Sequence, residues 1–428
     1  MKFFQNRQNT EIAIGSVIVF VFKLSGIATT YIFTLLISRY YGANVLGIFS
    51  LSLTLLMLFN MISKMGLDTV ALKHIAQYKS ENNIEQIGSI YWRSWKLIFT
   101  FSLVASIVFF SAASFFSYYI LQKPEMTINL RIISLAIVPM ALCSLNQESL
   151  RAIKKLGYYS FFINQSLYLF SLIVLALALT TNFNTTSTAP VIAVSLGIFL
   201  TWIYSQVIWQ IHSGTKIACL IDIVLPLIST KDLLKLGRPL LLANSMNFLL
   251  LWTDTLVIGL LCPVDDLGVY TTCVKLTNFV NIPFLVINSL AAPMIAEYYS
   301  TNRTVELKLL IRKFRYLMTF GTVVFGGIIL VFRFEALELF GPQFVAGVSV
   351  LQTLILAKLV SAVAGPIGLV MQMTGREVIF KNIMFIAVFT NVTLNFILVP
   401  LIGVIGAASA TVFSIMLMNV LAVTACRT

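Results

Sequence analysis

Twelve separate apolar stretches of about twenty residues or more fill this 428-residue chain, and they leave no room between them for a folded extramembrane domain. They lie near 12–36, 44–64, 96–120, 128–150, 158–181, 189–211, 239–261, 268–294, 315–334, 345–367, 380–399 and 402–425. Each is long enough to cross a hydrocarbon layer once as a helix. The connections are short except at 65–95 and 212–238. With 59% apolar and 11% charged residues the chain carries far more apolar surface than a soluble core can bury, and the surplus has to face lipid.

The net charge of +13 is topological rather than a mark of nucleic-acid binding, because the 29 Lys and Arg form no basic domain or arm. Short loops rich in Lys and Arg stay on the cytoplasmic side. With the N-terminus inside, 22 of these residues fall on the inner side and four on the outer side, namely Arg39, Lys123, Arg131 and Arg333. The remaining three are inside spans. One missed span would invert everything after it, so the bias supports twelve helices with both termini cytoplasmic. Lys2 and Arg7 precede the first apolar stretch as in a signal peptide, but that stretch runs about 25 residues into SRYYG and is expected to be retained as a helix.

Five dispersed Cys (143, 219, 262, 273, 426) and two His (His74, His212) offer neither a disulfide framework nor a zinc site. No catalytic Ser-His-Asp set or nucleotide-cradling glycine loop is present, so the expectation is a protein without enzymatic activity, cofactor or metal. In the 65–95 loop, DTVALKHIAQY places Val70, Ala71, Ile75, Ala76 and Tyr78 near one helical face beside Lys73 and Lys79. Two readings stand for it: a helix lying on the inner leaflet, or an extension of the second span. Asp68 reads as its N-cap.

A duplication is visible. Gly47-Ile48-Phe49 pairs with Gly268-Val269-Tyr270 at an offset of 221, and Gly157 with Gly375 at an offset of 218. An even number of spans per repeat makes the repeats run in the same direction, about an axis along the membrane normal. The expected fold is an all-α polytopic membrane protein of two six-helix bundles, 1–215 and 216–428, related by pseudo-two-fold symmetry around a central cavity.

Charges in mid-span cost ~2.5 to 3.5 kcal/mol or more and usually face a cavity or a partner. Four residues stand out: Lys23 in VFKLSG, Asp254 in LLWTDTLVI, Lys275 in TCVKLTN and Lys358 in LILAKLVS. Three cations and one anion cannot all be neutralised by pairing. The lysines read as cavity cations that attract anionic groups, with snorkelling open for Lys275. Asp254 is either an ion-coupling or gating site, or a salt-bridge partner of Lys23 or Lys275 that locks two helices. Asn244, Asn247, Asn278 and Asn281 add polarity to spans seven and eight, as do Asn60 and Asn164 in the first half; they suit sugar hydroxyls or interhelical bonding. Pro139, Pro283, Pro293 and Pro366 are hinges or static kinks.

The segment LISRYYGANVLGIFSLSLTLLMLFNMISKMGLDTVALKHIAQY resembles the start of the polysaccharide transporter family, the flippases of O-antigen and other undecaprenyl-diphosphate-linked oligosaccharides. NFLLLWTDTLVIGLL, LGVYTTCVKL, SLAAPMIAEYY and VPLIGVIGAASATVFS resemble its second half in the same order. Arg39, Gly42 and Asp68 match positions of the pattern. The resemblance covers nearly the whole chain and implies a wider group that includes multidrug exporters and the lipid II flippase. It implies a bacterial inner-membrane flippase that moves a lipid-linked oligosaccharide outward by alternating access. A cavity with Lys23, Lys275, Lys358, Arg39, Asn244 and Asn247 would meet the substrate, and Asp254 would couple to H+ or Na+. Membrane lipid and a polysaccharide polymerase are the implied partners, and no nucleic acid is. The competing reading is a cation-coupled drug or metabolite exporter, whose cavity should be acidic or aromatic; three lysines argue against it.

Overall fold

The computed structural model describes residues 2–180, 187–214 and 229–427, with side chains from residue 18 onward except those of Ser289, Pro293 and Arg427. The side chains of Lys2 and Arg7, residues Lys216 and Cys219, and the 215/216 division lie outside what is described. Every regular element among the described residues is helical.

Ten helices are long and apolar enough to cross a membrane, and a pair bent by 45°, Pro124–Ser134 with Ile137–Ala152, makes an eleventh. The longest, Ile18–Lys64, has 47 residues. At ~1.5 Å per residue it is about 70 Å long, more than twice a hydrocarbon core of ~30 Å. It is also broken: Gly42 sits at φ 82° and ψ −177°, a non-helical conformation that only glycine adopts at low cost. Ile18–Lys64 is therefore two spans, and the twelve stretches read from the sequence each have a helical counterpart. The eighth lies on two helices, Val264–Val280 and Ile282–Ser300, which meet at Asn281. Pro283 in the first turn of the second lacks the N–H that would continue the ladder. Pro366 follows a similar break at Gly365, and Pro139 lies just past the 45° bend.

The chain forms two compact units, Met1–Thr34 with Leu51–Asn247, and Leu35–Ser50 with Phe248–Thr428. In the first, the Leu67–Ser80 helix buries Leu67, Val70, Ala71, Ile75 and Tyr78 in a core shared with Ile90, Tyr91, Leu142, Leu145 and Trp209. Its apolar face is thus taken up by protein, which counts against the reading of a helix resting on the leaflet. Ala76 stays exposed. Nor is Asp68 its cap: the N-cap is Gly66, and Asp68 lies within the first turn, paired with Lys64 at 2.8 Å. Deeper in this unit, the buried Tyr91 hydroxyl donates to Asn146 Oδ1 at 2.6 Å and its ring stacks on Trp209 at 4.6 Å.

The second unit contains the contact that makes the duplication physical. A Cβ on Gly47 would lie 2.0 Å from Val264 O, and one on Gly268 would lie 2.1 Å from Ala43 O. The offset of 221 turns one of these contacts into the other. Asn44 Nδ2 donates to Asp265 Oδ2 at 3.2 Å and Ser50 Oγ to Thr271 Oγ1 at 3.2 Å, both between residues 221 apart. Contacts between equivalent positions of two copies are what a two-fold axis produces. The two glycines let the backbones approach to the distance at which these polar pairs form.

Candidate functional site

Asp254 stands in the Thr230–Leu261 helix, and each of its carboxylate oxygens is answered by a neutral donor from another helix. Tyr270 on Val264–Val280 donates its hydroxyl to Oδ2 at 2.6 Å, and Thr411 on Val404–Arg427 does the same at 2.6 Å. Asn395 on Glu377–Ile402 donates Nδ2 to Oδ1 at 2.8 Å. Asn395 also reaches Asn391 O at 2.9 Å, and Asn391 Nδ2 lies 3.5 Å from Thr411 Oγ1. Residues from four helices, all within the second unit, thus converge on one carboxylate. Asn391 and Asn395 are four residues apart and so share a helical face, which is what brings both to the site.

No ion pair of Asp254 is found among the described residues; the salt bridges found there are Lys64–Asp68, Arg151–Glu148 and Arg303–Glu306. Within its own unit Asp254 is thus held by two hydroxyls and an amide. A carboxylate held by two hydroxyls and an amide, with the buried Asn395 Oδ1 beside it lacking any partner, is an oxygen-rich cluster inside a span. No group of three His, Cys, Asp or Glu among the described residues is placed to hold a metal ion.

The cations are distributed differently. Lys275 lies one helical turn beyond Tyr270–Thr271, half-buried, with Nζ 5.9 Å from the centre of the Phe49 ring. Lys358, on Val348–Ala364, is half-buried and makes no ion pair or hydrogen bond among the described residues. Lys23, in the first unit, is likewise half-buried and unpartnered. Asn244 is half-buried and Asn247 exposed on the helix that carries Asp254, and neither makes a side-chain hydrogen bond among the described residues. Arg39 is engaged elsewhere: its guanidinium donates to Leu339 O and Glu338 O at the C-terminal end of the Arg333–Glu338 helix, where a cation suits the exposed carbonyls. Asn164 donates to Ser160 O at 3.0 Å within its own helical segment.

Tyr270, Asn391, Asn395 and Thr411 are the residues that sequence reading did not find. Tyr270 was visible as the repeat partner of Phe49, and the Asn pair in FTNVTLNFI had helical spacing, but nothing in the sequence tied either to Asp254.

A protein of Haloferax volcanii named "Probable flippase AglR" is 30% identical over 185 residues, which is 41% of this chain and 37% of that protein. The chain therefore aligns with little more than a third of that relative's length. Among solved structures, the lipid II flippase MurJ in an inward closed conformation superposes with a TM-score of 0.68 at 15% identity, covering 97% of this chain and 88% of the other. A multidrug resistance MATE family transporter in an inward-facing conformation reaches 0.75, also at 15% identity, over 96% and 97%. At that identity the two structures speak for the fold, which is the all-α polytopic fold read from the repeat. The family described as polysaccharide biosynthesis protein matches residues 15–299, two thirds of the sequence and most of the helices described above, and the chain belongs to that family.

Proposed function

We propose that this protein is a flippase that carries an undecaprenyl-diphosphate-linked oligosaccharide, an O-antigen unit or a similar precursor of a surface polysaccharide, from the cytoplasmic to the outer leaflet of a bacterial inner membrane. The observation that carries the reading is the mismatch of charges within the spans. Lys23 and Lys358 have no acidic partner among the described residues, and the one mid-span carboxylate is committed to neutral donors. Unpaired cations inside a membrane favour an anionic passenger, and a diphosphate supplies that charge. Lys23, Lys275 and Lys358 would meet the diphosphate. Asn244 and Asn247 would meet the sugars, and the polyprenyl tail would stay in lipid. Arg39, already bonded to carbonyls, belongs to the scaffold in this reading.

Asp254 is the coupling group. Its oxygens, together with Asn391 Oδ1, Asn395 Oδ1 and Thr411 Oγ1, can exchange a proton or take a small hard cation such as Na+, and filling or emptying the cluster would bias alternating access. With both termini cytoplasmic, delivery to a polysaccharide polymerase on the far side completes the path.

The test is complementation of a strain that lacks its lipid-linked-oligosaccharide flippase, at matched expression. Wild type should restore surface polysaccharide, whereas Lys23→Ala, Lys358→Ala and Asp254→Asn should not. Failure of the wild type in a host that makes the matching sugar lipid would remove the flippase reading.

A further inference from the structure

The second unit contains a cavity of about 250 Å³ that plays no part in the Asp254 cluster. It opens where the chain breaks between the Val348–Ala364 and Ile367–Met373 helices. At the break, Gly365 N–H turns back onto Ser361 O at 3.1 Å and Ala362 O at 3.0 Å. Phe284 and Phe380 supply apolar walls, and Asn288, Ser361, Gln372 and Asn419 supply the polar ones. No charged residue lines it among the described residues.

These polar groups are underused. Asn288 and Ser361 make no side-chain hydrogen bond among the described residues, and Asn288 Oδ1 is shut off from solvent without a partner. Leaving a buried amide oxygen unsatisfied costs about 1–3 kcal/mol, a cost that turning the Asn288 amide toward a donor in the cavity would recover. Asn419 gives its nitrogen to Ile415 O at 2.9 Å, which leaves its oxygen for another donor. Gln372 is exposed at the rim.

We infer that this cavity is a subsite for one uncharged sugar ring of the transported glycan, an inference that rests on the function proposed above. The chemistry selects such a ring over the alternatives. An ion entering here would lose its hydration with no counter-charge to replace it, whereas hydroxyl or acetamido groups pair with amides and a serine at little loss. The C–H face of a pyranose packs on the phenyl rings, and the volume, just under the ~300 Å³ of the smaller ligand pockets, suits a single ring better than a chain. The diphosphate and the sugar would thus be read by different residues, cations for the first and these neutral groups for the second.

The test uses the full chain in lipid nanodiscs. Ser361→Cys is labelled with a maleimide, the modified peptide is identified by mass spectrometry, and rates are compared in the presence of neutral hexoses, N-acetylhexosamines, 6-deoxyhexoses or sodium pyrophosphate. At least one class of neutral sugar should slow labelling about tenfold, the equivalent of ~1.4 kcal/mol, while pyrophosphate should not. Adding Asn288→Leu should abolish that protection, and Gln372→Leu at the rim should weaken it with little effect on folding. No protection by any neutral sugar, or equal protection by pyrophosphate, overturns the proposal and marks the cavity as a water pocket. Binding of undecaprenyl diphosphate to the wild type is measured in parallel. Its absence counts against the flippase reading, whereas its presence without sugar protection counts against the subsite alone.

Discussion

The two copies of the repeat place very different residues at equivalent positions. The offset of 221 that pairs Gly47 with Gly268 also pairs the Gly42 break with Pro263, so it runs without a gap back along the preceding helices. It matches Asp254 with Phe33 and Tyr270 with Phe49. Both phenylalanines are fully buried, and Phe33 lies 5.7 Å from the ring of Tyr168. One copy thus fills with aromatic packing the positions at which the other holds a carboxylate and its hydroxyl donor. Duplication supplied the scaffold twice, and the carboxylate with its hydroxyl and amide donors stands in one copy.

Moving the acid into the first copy should have the largest effect. Phe33→Asp removes a fully buried ring that packs against Tyr168 and puts a charge in its place. Each change costs about 3 kcal/mol or more, so the variant should fail to yield a monodisperse peak in detergent. A variant as stable as the wild type would mean that the first copy holds a latent polar site.

Next in size is the crossing itself. Gly268→Val drives a side chain into Ala43 O and should cost about 1–3 kcal/mol, read as a lower thermal midpoint. Gly47→Val should cost a similar amount, because the same offset relates the two contacts. The double variant should cost less than the two together, since both open one crossing. Full additivity would show that the glycines act at independent places.

A smaller effect separates the two copies at the hydroxyl. Tyr270→Phe removes a 2.6 Å bond to Asp254 and should cost about 1–2 kcal/mol. In the other copy, Phe49→Tyr adds a hydroxyl at the equivalent position, where no carboxylate waits for it, and should also destabilise. If Phe49→Tyr stabilised the protein instead, the first copy would be offering an acceptor after all. Both are read by thermal unfolding in the same detergent.

Span number and the repeat were legible because lipid imposes them on composition and on loop charge, residue by residue. Twelve stretches, a 221-residue offset and the isolated Asp254 could be read without coordinates. What could not be read were relations between distant helices. Asn391, Asn395 and Thr411 lie about 140 to 160 residues from Asp254, and an Asn in a span looks the same whether it bonds a carboxylate, a sugar or its own backbone. The Leu67–Ser80 helix shows the same limit. Its amphipathic pattern called for an apolar partner but did not say whether that partner was lipid or protein. Arg39, legible as an outer cation, proved to be spent on two carbonyls 300 residues away.

Asp68 is the carboxylate that sharpens the contrast with Asp254, because it is answered by a cation. It is buried, 2.8 Å from Lys64 Nζ, and it accepts the Thr69 backbone N–H at 2.9 Å. Burial alone would raise its pKa, but the Lys64 charge and the bonds from Lys64 and Thr69 prevail and hold it below the usual carboxylate value. A folded pKa depressed below the unfolded one contributes stability that is present above the unfolded value, near ~4 for a free Asp, and is lost as the pH falls through the folded value. Asp68→Asn should therefore destabilise at neutral pH by about 1 kcal/mol or somewhat more, since it also leaves a largely buried Lys64 without its partner. As the pH is lowered below ~4, the wild-type advantage should shrink, because the protonated Asp68 comes to resemble the amide. Unfolding midpoints of the two proteins, measured from pH 7 down to about 3, should converge. A gap that stays constant across that range would mean that Asp68 serves by shape and hydrogen bonding, and that the charge of Lys64 adds nothing.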